Sequence, residues 1–307
     1  MATEGRHDVV VIGGGVAGVS AALECANNQL DTVLLEAGAA LGGQLAEIPF
    51  DVRNVATGWY ADGPALQAGV QRSAEFLGDR VLLRHAVSGA TLSERSVDVG
   101  GVRFRGGAIL IATGSRRQQL AAAADGAFGG DVTYQLETRP DGFAGRAVIV
   151  VGGGDSATLD ALELAATASS VRLVHRAEAL SARADVQAKV RAEPRIVDFP
   201  GWEIESLRGA EHLEEAVLVH RSSGERRTVA AGGVVVKISR LPNTEPYAGQ
   251  LDLDRRGFVI ADPELRTSRE GVFAAGDVVQ GAYWRVAYAL GQGILAARSM
   301  QQYLERR

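Results

Sequence analysis

His7-Asp8-Val9-Val10-Val11-Ile12-Gly13-Gly14-Gly15-Val16-Ala17-Gly18 is the stretch whose reading decides the fold. Asp8 to Ile12 is an apolar, β-branched run of the kind that forms a buried parallel strand. Gly13, Gly15 and Gly18 follow at once in G-x-G-x-x-G spacing, and Val19 to Ala26 reads as a helix. A second apolar run, Thr32-Val33-Leu34-Leu35, ends on Glu36. Gly13 permits a tight turn, Gly15 lets backbone approach a pyrophosphate, and Gly18 lets the helix pack close to the strand. The helix N-terminus offers unpaired N–H groups and about +0.5 of a charge to phosphates. Glu36 stands where a carboxylate accepts the hydroxyls of an adenosine ribose. Strand, glycine loop, helix and acid in that order predict a dinucleotide site. A ligand-free glycine turn is the alternative.

Composition narrows the class. The 307 residues are 46% apolar and 22% charged, ordinary for a globular chain and long enough for two domains. A formal net charge of −5 gives no sign of a nucleic-acid or anionic-membrane surface. No apolar run approaches the ~20 residues of a membrane span, and Glu4-Gly5-Arg6-His7-Asp8 is no signal peptide, so the expected location is the cytoplasm. Cys25 is the single cysteine, which excludes an internal disulfide, a Cys-x-x-Cys pair and a cysteine-built metal cluster. Lys189 and Lys237 are the only lysines, a pattern we read as coding bias.

After Glu36, Leu41-Gly42-Gly43-Gln44-Leu45 is a loop whose glycines let backbone approach a flat ligand and whose Gln44 can bond it; a flexible turn is the alternative. Pro64 to Phe76 predicts a helix. Val81 to Val87 and Ser96 to Phe104 predict strands, the latter with a turn at Gly100-Gly101. Ala108 to Ser115 is a buried strand closed by Ala112-Thr113-Gly114, a junction suited to a chain leaving one domain beside a cofactor.

Ala147 to Val151 opens a second strand–glycine–helix motif, G-x-G-x-x-A from Gly152, Gly154 and Ala157, with Asp155 and Ser156 between and a helix from Ser156 to Ala168. The next strand, Val171 to Val174, ends in His175-Arg176 and not in an acid. An acid favours the ribose hydroxyls of NAD, whereas a base accommodates the 2′-phosphate of NADP. Two motifs predict two cofactors in two half-domains, FAD with Glu36 and a nicotinamide cofactor at the second. One working site and one relic is the alternative. A charged helix continues from Asp185 to Arg191. Ile204 to Val219 and Arg226 to Val236 predict strands with a turn at Ser222-Ser223-Gly224. Near the end, Gly271 to Asp277 is a strand, a glycine and a carboxylate before a helix from Trp284 to Leu304. Asp277 can bond a ribityl hydroxyl or simply cap that helix.

Together these stretches, with Val174-His175-Arg176, Leu241-Pro242-Asn243-Thr244-Glu245 and Trp284-Arg285-Val286-Ala287, resemble the low-molecular-weight thioredoxin reductases over nearly the whole chain. The resemblance implies an α/β fold of two Rossmann-like three-layer nucleotide-binding domains. The NAD(P) domain, residues 118–240, is inserted in a discontinuous FAD domain, residues 1–117 and 241–307. It also implies homodimers. FAD contacts carry over to Gly13, Gly15, Val16, Ala17, Gly18, Glu36, Ala37, Gly43, Gln44, Leu45, Val87, Ala112, Thr113, Gly114, Asp277, Arg285, Val286 and Ala287. Contacts to NADPH or NADH carry over to Gly152, Gly154, Asp155, Ser156, Ala157, His175, Arg176 and Arg183, with His175 meeting the adenosine.

The departures matter more. Members carry a Cys-x-x-Cys just before an Asp-Gly and the second glycine motif. Here Asp131-Val132-Thr133-Tyr134-Gln135-Leu136-Glu137-Thr138-Arg139-Pro140-Asp141-Gly142-Phe143 contains no cysteine. Gln135 and Thr138 take the thiol places, and neither forms a thiolate. Cys25 is expected to be a buried apolar thiol. NADPH members read His-Arg-Arg with a further arginine; here Ala177 and Ser181 fill two of those places and Arg183 is displaced, which weakens NADP preference. Arg285-Val286-Ala287 replaces Arg-Gln-Ala. Relatives without the dithiol include ferredoxin–NAD(P) reductases, so the expected activity is nicotinamide-to-flavin hydride transfer followed by electron release to ferredoxin or a small-molecule acceptor. Alternatives are a tailoring oxidoreductase or oxidase acting on a small metabolite, and a non-catalytic flavin-binding protein. No side chain is expected to act as a catalytic acid or base. The segments Ser115–Gln119 and Ile238–Leu241 are candidate hinges.

Overall fold

The computed structural model describes residues 5–136 and 142–306, so Thr138 lies outside the described residues. The chain divides into two compact units. One is Met1–Arg116 with Leu241–Arg307, the other Arg117–Arg240.

The first unit is built on a seven-stranded sheet. Gly5–Ile12 lies at its centre, parallel to Thr32–Glu36 on one side and Val102–Ile111 on the other. Val81–Leu83 extends the first side. The long strand Val102–Ile111 is shared: its start pairs antiparallel with Ser96–Val99, its end parallel with Val272–Ala274. The central strands feed two cores by alternation. Val9, Val11, Leu34 and Leu110 pack with the helices on one face, and Val10, Ile12, Val33 and Ile109 pack on the other. This is why the run Val9 to Ile12 is apolar at every position. On the helical face, Val16–Asn27 meets the closing helix Val286–Glu305. A Cβ on Gly293 would sit 2.3 Å from the Ala17 carbonyl oxygen, so that glycine sets the helix spacing. Ser20 Oγ adds a bond to Leu290 O at 3.0 Å.

Several elements differ from the sequence expectation: the run 204–219 divides into Trp202–Gly209 and Leu213–His220, and the run 226–236 into Arg226–Ala230 and Gly233–Val236, which belong to different sheets. The strand predicted to run to Val87 stops at Leu83, because Arg84 takes φ +61°. Arg84 N and His85 N then donate to Gly38 O and Glu36 O, wrapping the chain over the Glu36 end. The closing helix begins at Val286 and not Trp284, which sits at φ +47° and cannot be helical. The helix predicted over 156–168 runs Asp155–Ala165 and finishes in turns. The Gly100-Gly101 turn has both residues at positive φ, 56° and 85°, the combination a two-residue hairpin requires.

The second unit carries a five-stranded parallel sheet in the order Ile196–Pro200, Ser170–His175, Ala147–Val151, Gly233–Val236, Val132–Thr133. Asp155–Ala165 and Ala184–Ala192 are its longer helices among the described residues, and Trp202–Gly209, Leu213–His220 and Arg226–Ala230 form an antiparallel sheet. Alternation again splits the core: Val148 and Val150 pack against Asp155–Ala165, Ile149 and Val151 against Trp202 and Leu218. Asp131, 2% exposed, is fastened by Arg146 at 2.9 Å, His212 at 3.1 Å and the Leu213 N–H at 3.0 Å. Burial alone would raise its carboxyl, but these donors hold it below the usual carboxylate range. Among the described residues, no helix is long and apolar enough to cross a membrane.

Candidate functional site

In the first unit the carboxyl ends of the central strands meet three loops. Gly13 turns at φ +105°, and a Cβ there would lie 2.4 Å from the Ala112 carbonyl oxygen. A Cβ on Gly18 would lie 1.9 Å from Gly13 O. Both glycines are therefore demanded by backbone. Gly15 is different: its Cβ would meet nothing within 4 Å, so the chain leaves a cradle at the N-terminus of helix Val16–Asn27. Gly43, at φ +54°, backs that cradle, its would-be Cβ 3.2 Å from Gly15 Cα, and Gly42 N donates to Gly14 O at 2.8 Å. An open cradle of backbone at a helix start fits a pyrophosphate.

Glu36 is pinned. Its two carboxylate oxygens accept the Gly14 and Gly38 N–H groups, each at 2.5 Å, which aims the carboxylate from the strand end beside the cradle. Val16 and Ala17 open the helix, and Ala37 follows Glu36 on the exposed side. Leu45 is 3% exposed and roots the glycine loop in a small core with Leu66. Val87, half-buried and three residues past the Arg84 turn, packs against the core face of Val10 and Ile12.

Gln44, Gly114 and Asp277 converge from three parts of the chain. Gln44 Nε2 donates to Asp277 Oδ2 at 3.2 Å and lies 3.5 Å from a would-be Gly114 Cβ. Two features found only in the structure lock this place. Asn243 donates from Nδ2 to Thr113 O at 2.8 Å, while Thr113 Oγ1 donates to Asn243 O at 2.7 Å. Gln292 Oε1 accepts the Gly276 N–H at 2.7 Å, fixing the turn before Asp277. Asn243 lies in Pro-Asn-Thr, legible only as a turn. Arg285 is the residue before the closing helix, with Val286 and Ala287 its first turn, and its guanidinium lies over the Tyr283 ring at 5.2 Å.

The second unit repeats the arrangement. Gly152 turns at φ +138°, Gly154 precedes the helix with only Ser181 Oγ near its would-be Cβ at 3.8 Å, and Ala157 is fully buried against the strand. Asp155 and Ser156 form the exposed first turn, where an acid is favoured by the helix dipole. Asp155 Oδ1 accepts the Arg183 N–H at 2.8 Å, and Ser181 N bonds Gly153 O at 2.8 Å, so the loop after His175 folds over the glycines. Arg183 Nε stands 3.8 Å from Asp155 and 3.6 Å from Asp185. Arg176 is exposed. His175, expected to meet an adenosine, is 4% exposed beneath Gly153, its Nε2 2.9 Å from Asp198 Oδ1 and its Nδ1 buried without a hydrogen bond. Its visible role here is to hold the glycine loop from below.

Cys25 is fully buried in helix Val16–Asn27. Burial pushes its thiol up to about 12, with a smaller contribution from Glu24. Among the described residues no cluster of His, Cys, Asp or Glu can hold a metal ion.

The profile of the family described as pyridine nucleotide-disulphide oxidoreductase matches residues 7–293. A thioredoxin reductase of Streptomyces clavuligerus is 34% identical over 97% of this chain and 94% of its own length. One from Bacillus subtilis is 30% identical over 99% of this chain and 97% of its own. The crystal structure of Lactococcus lactis thioredoxin reductase superposes with a TM-score of 0.76 at 28% identity, over 98% of this chain and 100% of that one.

Proposed function

The chain belongs to the pyridine nucleotide-disulphide oxidoreductase family, and from that premise we propose an FAD-dependent NAD(P)H oxidoreductase that serves its acceptor without a dithiol relay. The analogue we take for it is a ferredoxin–NAD(P) reductase. We assign FAD to the Gly13 unit and the nicotinamide cofactor to the Gly152 unit. When bound, the nicotinamide supplies a hydride and the flavin accepts it and passes on two electrons, singly or as a pair.

The chain's own residues bind and orient. Gly15 and the helix start receive the pyrophosphate, and Glu36, already aimed by Gly14 and Gly38, receives the ribose. Gln44 and Asp277 form a donor–acceptor pair that would hold the ribityl side, and the start of helix Val286–Glu305 would offer its N–H groups to the flavin's electron-rich edge. On the nicotinamide side Gly154 and Asp155 open the helix, and Arg176 is the exposed cation for a 2′-phosphate.

One observation carries the absence of a relay. The single cysteine of the sequence is Cys25, and its thiol is inside a packed helix face. Burial pushes that thiol up to about 12, so it stays protonated at neutral pH. A dithiol relay needs two accessible sulfurs that alternate between thiolate and disulfide.

The test is an anaerobic titration of the FAD-loaded protein with NADH and NADPH, followed by ferredoxin, a quinone and a thioredoxin disulfide as acceptors. Bleaching by a nicotinamide cofactor and reoxidation by ferredoxin support the proposal. Steady reduction of the thioredoxin disulfide overturns it. A reduced flavin that ignores ferredoxin and reoxidises with one small metabolite moves the chain to a tailoring oxidoreductase.

A further inference from the structure

The two glycine loops are braced by the same backbone contacts. Ala112 N donates to Ile12 O, and its carbonyl fills the space a Gly13 Cβ would take. In the second unit Lys237 N donates to Val151 O, and its carbonyl lies 2.3 Å from a would-be Gly152 Cβ. Lys237 therefore occupies the place of Ala112. It is one of two lysines in a chain with 32 basic residues. Its Nζ is 3.0 Å from Asp160 Oδ2, on the helix that starts at the loop, and the two side chains are 13% and 12% exposed.

The sheet explains what lies there. From Ala147–Val151 the strand order runs one way through Ser170–His175 and the other way into Gly233–Val236. In open parallel sheets the ligand crosses the crevice at the carboxyl ends beside such a reversal. A dinucleotide bound there would place one half over His175 and Arg176 and the other half over the end of strand Gly233–Val236, which Lys237 follows. Burying an ion pair is costly, and apolar residues of similar volume are often as stable or more so. A charged pair at this edge is therefore poorly explained by stability.

A carboxamide offers an acceptor oxygen and two donor protons, and an ammonium beside a carboxylate presents the matching donor and acceptor. A pyrophosphate would be drawn by Lys237 but repelled by Asp160. We propose that the Lys237–Asp160 pair binds the nicotinamide carboxamide and orients the ring, an inference that rests on reading the second loop as the nicotinamide site.

The test measures binding to the FAD-loaded full chain, with NADH, NADPH and ADP-ribose, which lacks the nicotinamide, as probes. Lys237→Met is expected to weaken NADH and NADPH by about 10- to 100-fold while ADP-ribose stays within about twofold. Since a lone buried Asp160 can impair folding, the double variant Lys237→Met/Asp160→Leu replaces the pair with apolar groups and is expected to show the same split. Equal losses for all three probes, or no loss in either variant, overturn the inference alone. Wild-type protein that binds ADP-ribose but neither NADH nor NADPH overturns the nicotinamide reading and the inference together.

Discussion

Gln44 Nε2 donates to Asp277 Oδ2 at 3.2 Å across 233 positions of sequence. The bond ties the loop after strand Thr32–Glu36 to the turn after strand Val272–Ala274. A carboxylate that already organises a neighbour's amide costs little reorganisation when a ligand hydroxyl arrives. Replacing Asp277 with Ala removes a charged acceptor, a loss of about 1.5–3 kcal/mol or roughly 10- to 150-fold in FAD affinity. Fluorescence titration of the apoprotein with FAD checks this, with Asp277→Asn expected between the two. Unchanged affinity in the Ala variant would leave Asp277 as a partner of Gln44 only, since the closing helix starts nine residues later at Val286.

Gly15 and Gly18 separate ligand effects from folding effects. Gly15→Ala meets no protein atom within 4 Å, so the apoprotein should melt within a few degrees of wild type while FAD affinity falls steeply. Gly18→Ala sets a Cβ 1.9 Å from the Gly13 carbonyl and should lower apoprotein stability as well. Thermal melts with and without FAD read both; equal melting of the two apoproteins would contradict the geometry.

Cys25 should behave as a structural thiol. It should resist a thiol reagent in native protein and react fully in denaturant. Cys25→Ala should lower stability by about 1–2 kcal/mol, within the range for a small core truncation, and leave the rate of NAD(P)H-dependent acceptor reduction unchanged. A large loss of rate without a loss of stability would give the thiol a redox role.

Asp131 gives an acid-side signature. Its folded carboxyl is held below the unfolded value of about 3.9. The folded state thus binds fewer protons, and this stabilisation is present above that value and lost as pH falls through the folded one. Asp131→Asn should therefore destabilise the protein by about 1–3 kcal/mol near pH 7, with the gap to wild type closing below about pH 4. Urea melts at several pH values check it; a gap independent of pH would mean packing, not charge.

The parts that could be read from sequence are those with a local physical signal. Val9 to Ile12 and Val148 to Val151 announce buried strands by composition, and Gly13 and Gly152 occupy backbone conformations that other residues avoid. The Gly100-Gly101 hairpin is legible for the same reason. The early stop of Val81–Leu83 and the late start of the closing helix were not, because positive φ at Arg84 and Trp284 runs against those residues' own preference; at Arg84 the turn is held by bonds from Arg84 and His85 to Gly38 and Glu36. Side-chain partners at long range were hidden too. Asn243 reads as a turn residue yet clasps Thr113 from both sides, and His175 reads as a ligand contact yet is buried on Asp198. Nothing in periodicity links Lys237 to Asp160.

The strand Val102–Ile111 waits for a neighbour, Val272–Ala274, that is synthesised long after it. At about 5–20 residues per second the ribosome takes roughly 8–30 s to deliver it. The contiguous Arg117–Arg240 stretch can meanwhile emerge whole. Birth order thus favours maturation of the interrupting piece before the interrupted one, leaving the exposed flank of Val102–Ile111 as the nascent chain's point of greatest risk for mispairing or chaperone capture.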